Sequence, residues 1–265
     1  MHALLNVAIM AARKAGNSLI RNLNRLEKLN VEQKGYNDYV SDADRQAEEM
    51  VIDVIHKHYP DHAILAEESG VQGESDHVWI IDPLDGTTNY LHGFPVFAVS
   101  IGLQVKGRME HAVVYDPMRQ ELFTASRGQG AQVDGRKIRV SGCKDLEHSL
   151  IGTGFPFRSA TRETGPYMKM LEKVLQNTSG IRRPGAAALD LAYVAAGRLD
   201  GFFETGLAPW DVAAGSLIIR EAGGIVSGLD GSEDYFESGH ILCGTPKIYS
   251  GLAKLCAKEI KTLLA

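Results

Sequence analysis

The stretch WIIDPLDGTTNY, Trp79 to Tyr90, carries an apolar run into two aspartates, Asp82 and Asp85, with Pro83 between them and Gly86-Thr87 behind. Acids recur at similar places elsewhere. Glu67 and Glu68 directly follow the apolar run AILA, Asp211 opens WDVAAGSLIIREAGG, and Asp44 stands near the start of SDADRQAEEMVIDVIHKHY. Carboxylates at the mouths of buried elements are costly unless something positive joins them. Two like charges about 4 Å apart repel by roughly 4 kcal/mol at an effective dielectric near 20, so a cluster of ionised acids needs cations or protons. A divalent metal meets that need. Donors that are all oxygen, with no histidine or cysteine beside them, favour Mg²⁺ over zinc or copper.

Pro83 fixes φ and contributes no amide, which holds the two aspartates in a set relation. Gly86 lets the backbone approach a ligand, and the amides after it can receive an anion if a helix begins there. Thr87 can orient a water through its hydroxyl. The combination suits attack of a metal-activated water on a phosphoryl group. Each piece alone has a plainer reading: D-P-L-D-G-T as a turn with an Asx cap, Glu67-Glu68 as solvated surface, Trp210-Asp211 as a helix cap beside a buried aromatic. Their joint occurrence at strand ends and helix starts favours a site.

The elements that must position these acids follow from periodicity. Leu5, Ile9, Ala12, Gly16, Leu19, Leu23 and Leu26 recur at steps of four and three and predict an amphipathic helix of about six turns. Its Arg13, Lys14, Arg21 and Arg25 read as solvated surface. A second helix starts at Ser41 or Asp42, buries Ala47, Val51, Val54 and Ile55, and stops at Tyr59-Pro60-Asp61. The runs AILA, VWII, FAVSIGLQV, MEHAVVY, ELFTAS and the hairpin QVDGRKIRV, with its Asp134-Gly135 turn, predict an antiparallel sheet joined by short links. After Ser149 the rhythm becomes α/β, from SLIGTGF through LDGFFE and GIVSGL to the closing helix KIYSGLAKLCAKEIKTLL. No repeat or long linker intervenes, so residues 1–265 read as one unit with a seam near residue 145. An α+β half, 1–145, holds the acidic loops, and an α/β half, 146–265, supplies Asp211 and substrate contacts.

Composition narrows the class. The net charge of −5 and a pI near 6.0 argue against a nonspecific binder of nucleic acid or anionic membranes. Three cysteines, Cys143, Cys243 and Cys256, lack C-x-x-C spacing and suit a reducing compartment. No apolar run approaches the length of a membrane span, so a cytoplasmic location is expected. GQGAQV (128–133) lacks the last glycine of a dinucleotide fingerprint, G-K-[ST] and H-E-x-x-H are missing, and His56 and His58 face different ways on a helix.

EES (67–69), WIIDPLDGTTNY and PWDVAAG (209–215), in that order, resemble the signature blocks of the inositol monophosphatase family. VVYDPMRQELFTASRGQGA and GAAALDLAYVAAGRLDGFFE are similar to further family segments, and the likeness is strongest toward the bacterial SuhB-type members. The resemblance implies a layered αβαβα sandwich, commonly dimeric, with two or three Mg²⁺ held by residues matching Glu67, Asp82, the Leu84 carbonyl, Asp85 and Asp211. Thr87 with Asp44 behind it matches the pair that orients or deprotonates the attacking water, and Glu67 is the other base candidate. The amides of Gly86 and Thr87 match phosphate holders. Glu204 matches an acceptor for ring hydroxyls, Gly185, Ala187 and Asp211 line the substrate position, and Lys34, in the polar loop EQKGYND, matches a residue that closes the site. Eukaryotic members carry polar residues at the positions of Ala208 and Pro209, so a broader sugar-phosphate range is expected here.

The resemblance further implies lithium-sensitive hydrolysis of inositol 1-phosphate with no covalent intermediate, with fructose 1,6-bisphosphate or nucleotide 3′-phosphates as alternatives. An aspartyl-phosphate chemistry of the D-x-D-G-T type does not fit, because the aspartates are three apart and Pro83 occupies the place of the required acid. A non-enzymatic expectation also stands: SuhB-type members resemble proteins that join transcription antitermination complexes through NusA and RNA polymerase.

Overall fold

A computed structural model describes residues 2–23, 25–35, 38–156 and 164–264, leaving out the side chains of residues 28, 34 and 38. The chain opens with α1 (Ala3–Leu23), then β1 (Val31–Gly35), β2 (Asp38–Ser41) and α2 (Asp42–His58). Next come β3 (Ala63–Ala66), β4 (Gly70–Gln72), β5 (His77–Asp85), the short helix α3 (Thr87–Leu91), β6 (Ala98–Val105), β7 (Arg108–Asp116), β8 (Glu121–Ser126), β9 (Gly130–Val133) and β10 (Arg136–Ile138). The remainder alternates: β11 (Leu150–Thr153), α4 (Gly165–Asn177), β12 (Gly180–Arg182), α5 (Ala187–Ala195), β13 (Gly201–Thr205), α6 (Pro209–Glu221), β14 (Ile225–Ser227), α7 (Tyr235–Ser238), β15 (His240–Gly244), α8 (Pro246–Leu255) and α9 (Ala257–Leu263).

Two sheets organise the core. The larger has eight strands in the order β10-β9-β8-β7-β6-β5-β3-β4, and the smaller has five in the order β12-β11-β13-β15-β14. Side chains alternate across each strand and so feed different cores. Trp79 and Ile81 join α1 and α2 on one face of the larger sheet, whereas Ile80 joins α5 and α6 on the other. Phe202 faces α5 and α6 from the smaller sheet, while Phe203 packs with Tyr167 of α4 and Ile248 of α8. The layers therefore run helix, sheet, helix, sheet, helix, and the αβαβα expectation holds.

Three local expectations are corrected. The larger sheet is mixed, because β3 pairs parallel with β5 while the other pairs in it are antiparallel. EQKGYND is not a plain loop: β1 and β2 pair as an antiparallel hairpin, with residues 36 and 37 outside the described set. The first helix buries Leu5, Ala8, Ala11, Ala12, Ala15 and Leu19, and Leu26 falls in a separate 3₁₀ turn. Small alanines let α1 lie close on the sheet, which the Leu-Ile pattern alone does not indicate. Ser41 caps α2 as expected, and the Asp134-Gly135 turn joins β9 to β10 with positive φ at both residues.

The middle layer is the tightest. A Cβ added to Gly215 on α6 would lie 2.5 Å from Cβ of Leu191 on α5, so the two helices cross at a distance only glycine permits. Replacing Gly215 with Ala is expected to cost about 1–3 kcal/mol through overpacking, read as a lowered urea midpoint; an unchanged midpoint would refute the close crossing.

Candidate metal centre

The strand β5 does not end at Ile81 but continues through both aspartates. Residues three apart on a regular strand face opposite ways. Here a bulge intervenes: Asp82 pairs with Ser100 and Asp85 with Ala98, three steps on one strand against two on the other. Asp82 shares the face of Ile80, and the bulge returns Asp85 to that same face, toward α5 and α6. Pro83, which has no amide to give a ladder, sits inside the bulge.

The third acid arrives on α6. Pro209 opens that helix, and Asp211 Oδ2 accepts the Ala208 amide at 2.7 Å. Ser100 Oγ donates to the Trp210 carbonyl at 3.3 Å, tying the helix start to the sheet. Asp85 Oδ2 accepts the Ala188 amide from the start of α5 at 2.7 Å, and Asp82 Oδ1 accepts the Leu84 amide at 3.0 Å. Each aspartate is thus oriented by a backbone amide. Oxygens from Asp82, Asp85 and Asp211 lie within 4.8 Å of one another, and all three residues are buried.

Burial pushes the Asp82 carboxyl well above its ordinary range; the charges of Glu67, Asp85 and Asp211 push the same way, and the Leu84 amide opposes them. A buried, oxygen-only donor set under mutual repulsion fits a hard divalent cation. Glu67 stands outside the close trio, half-buried at the end of β3, its amide donating to the Ile81 carbonyl at 3.2 Å.

The Thr87 hydroxyl, at the start of α3, lies 2.9 Å from Asp44 Oδ1 and 3.1 Å from the Leu84 carbonyl. Asp44 Oδ2 in turn accepts from the Ser41 amide at 2.9 Å and the Ser41 hydroxyl at 2.6 Å, closing the capping box of α2. Burial raises the Asp44 carboxyl, and these bonds work against that rise. Gly86 has φ +91°, and a Cβ there would sit 3.0 Å from the Val96 carbonyl, so a side chain would be strained by its backbone conformation and crowded as well.

Among the expected substrate contacts, Gly185 and Ala187 precede and open α5, with Asn89 Nδ2 bonded to the Val96 carbonyl at 2.8 Å and the Pro184 carbonyl at 2.9 Å. Glu204 lies on β13, across from α5. Lys34 has its backbone in β1 and its side chain outside the described set.

Sequence reasoning overlooked three residues. Glu48 on α2 accepts the Glu68 and Ser69 amides, both at 2.8 Å. Asn89 fastens α3 to the loop before α5. Asp190 on α5 is 1 % exposed, with Oδ1 unpartnered among the described residues, and burial first, then Glu204 and Asp85, raises its carboxyl. Glu48 and Asp190 were detectable as acids placed among largely apolar helical positions.

Comparison with known proteins gives a consistent result. The inositol monophosphatase family model matches residues 1–261. Nus factor SuhB of Pseudomonas aeruginosa is 52% identical over 257 residues, covering 95% of each chain. The structure of extragenic suppressor protein suhB from Bartonella henselae superposes with a TM-score of 0.94 at 47% identity, covering 97% of this chain and 99% of that one. Inositol monophosphatase from Anabaena does so at 0.85 with 39% identity, covering 96% and 95%. No helix among the described residues is long and apolar enough to cross a membrane. The fold, the acidic cluster and the likeness along the whole chain agree: this chain belongs to the inositol monophosphatase family.

Proposed function

We propose that the chain is a Mg²⁺-dependent phosphomonoesterase that hydrolyses inositol 1-phosphate by direct attack of water. The observation that carries this reading is the convergence of three buried, mutually repelling aspartates beside the Thr87–Asp44 pair. Glu67, Asp82, the Leu84 carbonyl, Asp85 and Asp211 would hold two or three ions. Bound there, Mg²⁺ would supply charge neutralisation and a water of lowered pKa.

The chain's own residues do the rest. A threonine hydroxyl has one proton to give. Spent on Asp44, it leaves the Thr87 oxygen as an acceptor that aims a water's hydrogen and so its lone pair. Glu67 is the alternative base. The Gly86 and Thr87 amides receive phosphate oxygens, and Glu204 accepts from a hydroxyl of the departing alcohol, with Gly185, Ala187 and Asp211 shaping its seat and Lys34 closing over it. Ala208 and Pro209 offer that alcohol no side-chain donor, which favours tolerance of other phosphates, fructose 1,6-bisphosphate and nucleotide 3′-phosphates among them. A homodimer and lithium sensitivity belong to the same reading.

A second reading takes its support from the relative named Nus factor: the chain docks on transcription machinery, through NusA and RNA polymerase, on a surface apart from the acids. Asp82→Asn is expected to spare such docking while removing hydrolysis; loss of both in a folded variant would place the docking surface at the site.

Phosphate release from the three substrates across a Mg²⁺ titration tests the first reading. Inositol 1-phosphate is expected to turn over fastest, Thr87→Ala to lose about 10²–10⁴-fold in kcat, and a chelator to remove activity. Unchanged turnover under chelation would overturn it. The same acids predict a pH effect on the metal-free protein. The raised Asp82 carboxyl means the folded state holds a proton that the unfolded state gives up near the ordinary carboxylate range, so stability is expected to fall as pH climbs above that range. Asp190 acts with the same sign. Urea midpoints at pH 5 and pH 8 in chelator check this: a drop is expected, smaller in Asp82→Asn or with Mg²⁺, and a flat or rising midpoint would contradict it.

A further inference from the structure

We propose that Glu48 is a positioning residue for Glu67, and that α2 thereby sets both sides of the reaction centre; this rests on reading Glu67 as a metal ligand. Glu48 is 3 % exposed on a helix that buries Ala43, Ala47, Val51 and Ile55, with Asp44 as the one other buried acid. A carboxyl group in such a stripe is costly unless both oxygens find donors. They do, and the donors come from the acidic turn: Oε2 accepts the Glu68 amide and Oε1 the Ser69 amide, each at 2.8 Å. Because the Glu67 amide donates to Ile81, the residue before Asp82, three consecutive amides are tied down, one to β5 and two to α2.

A groove of about 410 Å³, lined by Glu49, Asp53, Ser69 and Gln72 among others, lies over the turn. The two hydrogen bonds to Glu48 oppose an outward swing of the Glu67 backbone. One turn earlier on the same helical face, Asp44 holds Thr87. A single rigid helix therefore fixes Glu67 relative to the hydroxyl that aims the water, although the two belong to separate segments of the chain.

The test compares Glu48→Gln, Glu48→Ala, Glu49→Ala and Glu67→Gln as full-length protein. Glutamine keeps the volume but offers one acceptor to two amides, so it serves if alanine fails to fold. Amide hydrogen exchange in metal-free protein is expected to show at least about tenfold faster exchange at Glu68 and Ser69 in the Glu48 variants. Calorimetric Mg²⁺ titration is expected to show about 10–100-fold weaker binding, the range usual when a partner of a ligand is removed. The half-saturating Mg²⁺ for phosphate release should rise similarly, with kcat at saturating Mg²⁺ nearly unchanged. Glu49→Ala, which removes a neighbouring exposed acid, should leave binding as it was. Wild-type Mg²⁺ affinity in a folded Glu48 variant overturns the proposal, even if exchange quickens, since the bonds would then be structural only. An equal loss in Glu49→Ala also overturns it, by reducing the effect to net charge. Failure of the underlying reading looks different: Glu67→Gln would bind Mg²⁺ like the wild type.

Discussion

Repulsion among acids brought to one face of a sheet is the constraint around which this molecule is arranged. At separations near 4 Å each ionised pair costs roughly 4 kcal/mol at an effective dielectric of 20, and a whole domain of this kind is stable by only about 5–15 kcal/mol. Asp82, Asp85 and Asp211 make three such pairs. The fold does not avoid the cost; it enforces it. The bulge in β5 turns two aspartates the same way, the capping of α6 turns the third toward them, and backbone amides from three different segments hold the carboxyls in place. Protons or a cation must complete the arrangement, which ties the occupant of the site to the stability of the surrounding layers.

The middle layer shows how that enforcement is built. α5 and α6 are covered on both sides by sheets, and their sequences, AALDLAYVA and PWDVAAGSLIIRE, are correspondingly rich in small apolar residues around the helix. Alanine and glycine allow close approach, and close approach brings the first turns of both helices to the sheet edge where β5 ends. Asp211 and the Ala188 amide are delivered together. The same geometry explains why acids so distant in sequence form one cluster: the helices are short, rigid and indexed against each other by the Gly215–Leu191 crossing.

Much of this was legible beforehand. Helix periodicity, the Ser41 cap, the Asp134-Gly135 turn and seven of the eight strands of the larger sheet follow from local pattern, because each is decided by residues within one or two turns. The parallel pairing of β3 with β5 was not, since pairing direction depends on where β4 and the intervening loop run. Nor was the bulge, because a period-2 reading places Asp82 and Asp85 on opposite faces and only the register against β6 reveals otherwise. Three-residue strands such as β12 are too short to carry a period. Glu48 and Asn89 escaped for a related reason: their partners are backbone groups of other segments, and a sequence displays side chains but not which amides a fold leaves to be satisfied.

The larger sheet is complete in sequence order by β10, yet one of its faces, bearing Ile80, Ala98, Val114 and Phe123, is covered by α5 and α6, which come only in the second half of the chain. On the ribosome that apolar face must therefore wait, bare, while the following segments are translated. Any nascent-chain crowding or premature pause before α6 emerges exposes a ready surface for misassembly. The order of the layers makes the second half of translation the vulnerable interval in this protein's life.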